Sequence, residues 1–321
     1  MPTALITGGH AGIGFECAKQ LASRSHYNLV LAGRSMEKME AAAQQLRTSY
    51  GVKVSLLRLD TSSLVSVREA ATEFRAMLDN GKVDSFQSLL CNAGGRFNVL
   101  SYSPDGYETT FATNCLGHFL LIELLTDRMV DNGRIVFTAS GTHDPETTDG
   151  KMVGVVVEPD ANALAKDGKN GKKPLSGGIR YSTSKLCTIL YAYELDRRLR
   201  RSGTSIASIA FDPGSVPETG LLRTMPKPVQ VLAKTSLMKW IMKRMGVTQG
   251  SVSFSGASLA RIAADPAYAK GSGKYFQSNA GVLSETQSSK LSYDEQRALK
   301  LWNDSKTLLR LQPNEESAQL Q

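Results

Sequence analysis

The sequence predicts an α/β fold: one doubly wound parallel sheet, covered by helices on both faces, in a single domain. Three observations predict it. Short runs rich in Val, Ile and Leu alternate with longer amphipathic stretches, the pattern of strands buried between crossover helices. A glycine-rich turn, Thr7-Gly8-Gly9-His10-Ala11-Gly12-Ile13-Gly14, joins the first apolar run to the first amphipathic stretch. A chain of 321 residues that is 41% hydrophobic is long enough to bury one sizeable core.

The elements follow in order. A strand at residues 3–7 leads through the glycine turn into a helix over 12–25. Strands at 27–32, 53–59 and 86–91 precede helices over 36–50, 64–80 and 105–131. Strands at 133–138 and 205–211 bracket a helix over 181–202. A helix over 249–264, a last strand at 275–277 and a terminal helix over 293–309 complete the series. Two stretches break this rhythm. Residues 142–179, rich in Gly, Lys, Asp and Pro around an apolar run at 152–157, are expected as a lid or substrate-shaping insertion. Residues 221–246 set Lys227, Lys234, Lys239, Lys243 and Arg244 among Leu232, Leu237, Met238, Trp240, Ile241 and Met245, with no acid. That pattern is an amphipathic basic helix, which either covers the substrate pocket with its charges in water or makes peripheral contact with a membrane. The polar residues 312–321 are expected to form a disordered tail.

Composition narrows the function classes. The formal charge of +8 is dispersed rather than gathered on one face, so no nucleic-acid partner is expected. Cys17, Cys91, Cys115 and Cys187 lack the spacing of a zinc site or disulfide framework. His118 and His143 have no companion cluster of ligands, and no metal site is expected. With neither a secretory leader pattern nor a long apolar stretch, a reducing, cytoplasmic setting is the expectation.

Three motifs carry chemistry. The glycine turn stands where a doubly wound sheet offers a helix N-terminus to a pyrophosphate, which the backbone approaches closely only if side chains are absent. At the end of the second strand, a carboxylate would grip a ribose 2′-hydroxyl, whereas a basic residue accommodates a 2′-phosphate. Here the chain has Ala32-Gly33-Arg34-Ser35, with Lys38 one turn further on, and the expectation is NADP (NADPH) rather than NAD. Tyr181 and Lys185 are four residues apart, so they share a helix face, where an ammonium lowers the pKa of the phenol towards that of a working acid.

With these motifs the chain resembles the short-chain dehydrogenase/reductase family, along nearly its whole length. The matching elements occur in family order: the turn Thr7–Gly14, Asp60, Cys91-Asn92-Ala93-Gly94, Asn114, Ser140, Tyr181 with Lys185, and Pro213-Gly214. The resemblance implies a Rossmann-type sheet and a catalytic set of Tyr181, Lys185, Ser140 and Asn114. Tyr181 would pass the proton, Lys185 would hold the nicotinamide ribose, Ser140 would bond the carbonyl oxygen, and Asn114 would hold a water linking the lysine to solvent. The implied cofactor contacts are Gly8, Gly12, Ile13, Gly14, Arg34, Lys38, Asp60, Asn92, Tyr181, Lys185, Val216 and Thr219. Homodimers through long helices are common in the family, while the lid and the basic segment equally suit a monomer.

Within the family, the chain is similar to the branch of retinol dehydrogenase-like enzymes and light-dependent protochlorophyllide reductase. The similarity rests on residues 112–119, the long insertion before Tyr181, Cys187, the spacing from Pro213 to Thr219, and Leu301-Trp302-Asn303-Asp304-Ser305. Gly94-Gly95-Arg96 and Ser140 depart from the reductase pattern, and point to a smaller substrate than a tetrapyrrole. The implied reaction is hydride transfer between NADPH and the carbonyl or alcohol carbon of a fairly apolar small molecule. Reduction of an activated C=C bond and non-catalytic NADPH binding are the alternatives.

Overall fold

The computed structural model describes residues 1–169, 171–216, 235–313 and 315–321, apart from the side chains of residues 236, 237, 239 and 243. Eight strands form one sheet: β1 Thr3–Thr7, β2 Asn28–Gly33, β3 Val54–Arg58, β4 Phe86–Cys91, β5 Arg134–Thr138, β6 Ala207–Asp212, β7 Tyr275–Asn279 and β8 Val282–Thr286. Their order is β3-β2-β1-β4-β5-β6-β7-β8, parallel throughout except for the antiparallel edge pair β7/β8. Every residue of β1 is buried, as a strand covered on both faces must be.

Helices α1 Gly12–Arg24, α2 Met36–Tyr50 and α9 Val252–Ala264 cover one face, where Leu21, Met39, Leu46 and Leu259 meet Ile6, Leu31, Val136 and Phe211. The other face packs under α3 Leu64–Asp79, α4 Gly117–Leu125, α7 Gly177–Arg201 and α10 Glu295–Leu309, around Phe74, Phe119, Tyr191 and Trp302. The chain winds outward in opposite directions from β1 and β4, so a crevice opens at the carboxyl ends of those two strands, where this class of sheet binds ligands.

Four expectations need correction. The helix expected over 105–131 starts only at Thr109, because the Glu108 carboxylate caps it by accepting from Thr110 N at 2.9 Å and Phe111 N at 2.8 Å. That helix also carries a π-helical turn, Ala112–Leu116, ahead of α4. The helix bearing Tyr181 begins a full turn early, at Gly177, because Ser176 Oγ accepts from Ile179 N. The strand β8 went unforeseen: positive φ at Ala280 and Gly281 closes a two-residue hairpin onto an edge too exposed to show an apolar run. Residues 312–321 are expected to be disordered, but the described residues 315–321 fold back onto the helices: Leu320 is 0% exposed, and Arg198 Nη1 donates to its carbonyl at 2.8 Å.

The 142–179 stretch contains two short helices, α5 Thr148–Val153 and α6 Ala161–Ala165. Of the basic segment, residues 221–234 lie outside the described residues; the remainder includes α8 Ser236–Arg244, from which Trp240 projects 56% exposed beneath the Arg244 guanidinium. No helix among the described residues is long and apolar enough to cross a membrane.

Candidate active site

The crevice is built first from the β1–α1 turn. Gly8 and Gly12 adopt positive φ, and a Cβ on Gly14 would stand 2.5 Å from Gly8 O and 2.6 Å from Asn92 Nδ2. Only glycine therefore lets α1 start this close to the neighbouring loop. A Cβ at Gly12 would meet nothing within 4 Å, so this turn presents open backbone at the N-terminus of a 13-residue helix. Ile13 follows, half-buried against the core of that face.

Beside the turn lies a cavity of about 540 Å³, lined by His10, Ala11, Phe15, Arg34, Ser35 and Lys38 among others. Burial, and then the charges of Lys38 and Arg34, hold the His10 imidazole below its ordinary pKa. Two cations at the mouth of a cleft suit a phosphate dianion. Asp60, at the end of β3, uses one carboxylate oxygen to accept from Ser62 N at 2.9 Å and Ser62 Oγ at 2.7 Å, fixing the turn into α3.

A hydrogen-bond chain ties β1, β4 and the π-turn together. Thr7 Oγ1 accepts from Asn92 N at 2.9 Å and Ala93 N at 2.8 Å, and Asn92 Nδ2 donates to Thr7 O at 3.0 Å. His118 Nδ1 lies 3.3 Å from Asn114 O, which can only accept, so the neutral ring donates there, while its Nε2 lies 2.9 Å from Thr7 Oγ1, whose hydroxyl also reaches Leu90 O at 3.2 Å. Burial agrees with this, pushing His118 down to about 4. Asn114 is thereby fixed. Its Nδ2 donates to Gly95 O at 3.1 Å and Ser184 Oγ at 2.9 Å, and its Oδ1 accepts from Gly95 N at 2.9 Å.

Tyr181 and Lys185 lie on successive turns of α7, with Lys185 Nζ 5.6 Å from the centre of the Tyr181 ring. The ammonium donates to Thr138 O at 2.8 Å, at the end of β5. Burial pushes Lys185 down to about 8 and Tyr181 up to about 12. Ser140 bonds the phenol and the Arg96 charge faces it, both opposing the rise. Desolvation of the phenol dominates, and Lys185, turned towards a backbone carbonyl, does not produce the expected lowering.

A second layer backs this set. Asp212, fully buried at the end of β6, accepts from Gly214 N, Tyr275 Oη and Gln277 Nε2 at 2.9, 3.0 and 2.8 Å. His143 Nε2 accepts from Ser289 N at 2.9 Å, so its Nδ1–H donates to Ser140 O at 2.7 Å, anchoring the strand end that carries Ser140. Sequence reasoning treated both histidines as bystanders; their work is to fix Asn114 and Ser140, and nothing local in the sequence signals it. Val216 is buried where a Cβ on Gly250 would touch it. Thr219 lies outside the described residues. The structure therefore gathers the glycine turn, Arg34, Lys38, Asn92, Asn114, Ser140, Tyr181 and Lys185 along one edge of the sheet.

Residues 2–148 match the family model described as short chain dehydrogenase. Polyprenol dehydrogenase of Danio rerio is 31% identical over 96% of this chain and 86% of its own length. The chain belongs to the short-chain dehydrogenase/reductase family. Within the family it sits on the protochlorophyllide reductase-like branch: the chloroplastic protochlorophyllide reductase of Chlamydomonas reinhardtii is 30% identical over 96% of this chain and 78% of its own. A short chain dehydrogenase from Burkholderia cenocepacia, solved in complex with NADP, shares the fold. It covers 87% of this chain and 96% of its own at a TM-score of 0.61 and 22% identity. A short-chain dehydrogenase/reductase is an oxidoreductase that takes a nicotinamide cofactor, and the open turn and the cationic cavity suit one.

Proposed function

We propose that the chain is an NADPH-dependent oxidoreductase that interconverts a carbonyl and an alcohol on a fairly apolar small molecule, with Tyr181 as the proton donor and acceptor. One observation carries this reading: a buried phenol, flanked by Ser140 and Lys185, stands at the same sheet edge as a side-chain-free turn and a cavity bearing Arg34 and Lys38. The residues fit the cofactor. Gly8, Gly12, Ile13 and Gly14 would take its pyrophosphate, Arg34 and Lys38 its 2′-phosphate, Asp60 and Asn92 the adenosine end, and Val216 with Thr219 the nicotinamide end. When bound, NADPH would supply the hydride in reduction, and NADP⁺ would receive it in oxidation.

The remaining chemistry belongs to the protein. Ser140 holds the substrate oxygen, and Tyr181 delivers its proton to that oxygen during reduction or removes it during oxidation. The phenol stays protonated at neutral pH, so it enters the reduction as the proton donor. Lys185 would then restore the proton, with Asn114 and the Gly95 backbone holding the route to solvent open. An apolar substrate is in keeping with the polyprenol dehydrogenase of Danio rerio, a relative named for a polyprenol substrate.

The test follows NADPH consumption with a panel of apolar aldehydes and ketones, with product analysis to separate carbonyl from C=C reduction. Tyr181→Phe should lower kcat by roughly 10²- to 10⁴-fold while leaving the Kd for NADPH unchanged. Turnover retained in that variant would remove Tyr181 as the acid.

A further inference from the structure

The loop after β4 lays Gly94, Gly95 and Arg96 against the start of α7. A Cβ on Gly178 would stand 3.5 Å from an Arg96 terminal nitrogen, so the guanidinium lies on the backbone of the first turn of α7, one turn before Tyr181. Arg96 Nε is buried without a hydrogen-bond partner, and among the described residues the side chain makes no ion pair. Its charge reaches the Tyr181 phenol.

This is a poor place for a lone cation. The first turn of a helix carries partial positive charge, and a guanidinium partly removed from water needs an anion to repay the desolvation. The neighbouring arginine shows how the chain handles such a charge when the purpose is structural. The Arg180 side chain is 3% exposed, 3.4 Å from the Glu108 carboxylate and 3.7 Å from that of Asp167, and donates to Phe97 O at 3.0 Å. Arg180 is neutralised from within; Arg96 is not. A fork-shaped cation with no ion pair among the described residues, one helical turn from the reacting phenol, is an anion site. A single planar fork matches a carboxylate, whereas the Arg34 and Lys38 pair suits a phosphate dianion.

We infer that Arg96 binds a carboxylate on the substrate, so that the molecule presented to Tyr181 is an apolar oxo acid or hydroxy acid rather than a neutral ketone or alcohol. The inference rests on the reading of Tyr181 as the proton donor. Arg96 on this view fixes which carbon faces the cofactor and selects among apolar substrates by their charge.

The experiment uses the full chain loaded with NADPH and compares medium-chain aliphatic oxo acids with their methyl esters, in binding by calorimetry and in turnover. Wild type should favour the acid by roughly ten- to hundred-fold, expressed in Kd and KM rather than kcat. Arg96→Met should abolish that preference in Kd and KM while leaving the KM for the ester and the Kd for NADPH unchanged, and Arg96→Lys should restore part of it. Equal handling of acid and ester by wild type, or a preference that survives in Arg96→Met, overturns the inference. So does a loss of NADPH affinity in Arg96→Met, which would assign the arginine to the cofactor. The two readings fail separately. Arg96-dependent binding of acids without any reduction sinks the hydride reaction alone, whereas reduction of esters with no preference for acids sinks the carboxylate site alone.

Discussion

Tyr181 and Lys185 share one face of α7, yet burial moves their proton affinities in opposite directions, to about 12 and about 8. The lysine shift has a direct consequence for stability. Its folded pKa lies below the ordinary 10.5, so below about pH 8 the ammonium is charged in both states and its desolvation penalty is present in full. As pH rises from there towards the unfolded value, the folded protein sheds the proton first and gains stability. Wild type should therefore gain roughly 2–3 kcal/mol relative to Lys185→Met between about pH 7 and about pH 10, measured by chemical denaturation; parallel pH dependences in the two proteins would contradict the buried ammonium. At this scale the sequence was informative wherever function sits in a short motif, as at Gly8–Gly14, Arg34 and the Tyr181/Lys185 pair. It was silent on supports that join distant segments. Thr7 meets His118, and His143 meets Ser140 and Ser289, only once the sheet has formed.

At the scale of elements, the site depends on how closely segments approach. The α1 start passes over Gly8 O and Asn92 with no room for a methyl group at Gly14. Gly14→Ala should destabilise the fold by roughly 1–3 kcal/mol and weaken NADPH binding, read by thermal unfolding and fluorescence titration. Wild-type values in both would mean that the turn is not the phosphate cradle. The π-turn Ala112–Leu116 does comparable work on the other side, carrying Asn114 between Gly95 and Ser184. A periodicity argument reads residues 105–131 as one helix because the apolar spacing barely changes through a single wide turn. It also misses where α7 begins, since Ser176 caps a turn whose glycines carry no hydrophobic signal. Strands β1 to β7 were legible from their apolar runs, whereas β8 is mostly exposed and looks like loop.

The whole molecule is closed by its C-terminal end, which composition alone misreads. Residues 312–321 are polar, but Arg68 grips the Glu315 carboxylate at 2.6 and 3.0 Å, Lys306 meets Glu316 at 2.6 Å, and Leu320 is buried against the helices. Only the partners make this segment fold, and they lie on α3, α7 and α10. A chain ending at Leu311 should lose roughly 3 kcal/mol of stability, mostly the burial of one leucine with its hydrogen-bonded carbonyl; an unchanged unfolding midpoint would show that the tail merely rests there. The central claim concerns the crevice where all these elements converge. A crystal structure of the full chain with NADPH tests it most directly. The account predicts the 2′-phosphate on Arg34, the pyrophosphate on the Gly8–Gly14 turn, and the pyridine ring facing the Tyr181 hydroxyl with its ribose on Lys185. A nicotinamide lying elsewhere, away from that phenol, would contradict it.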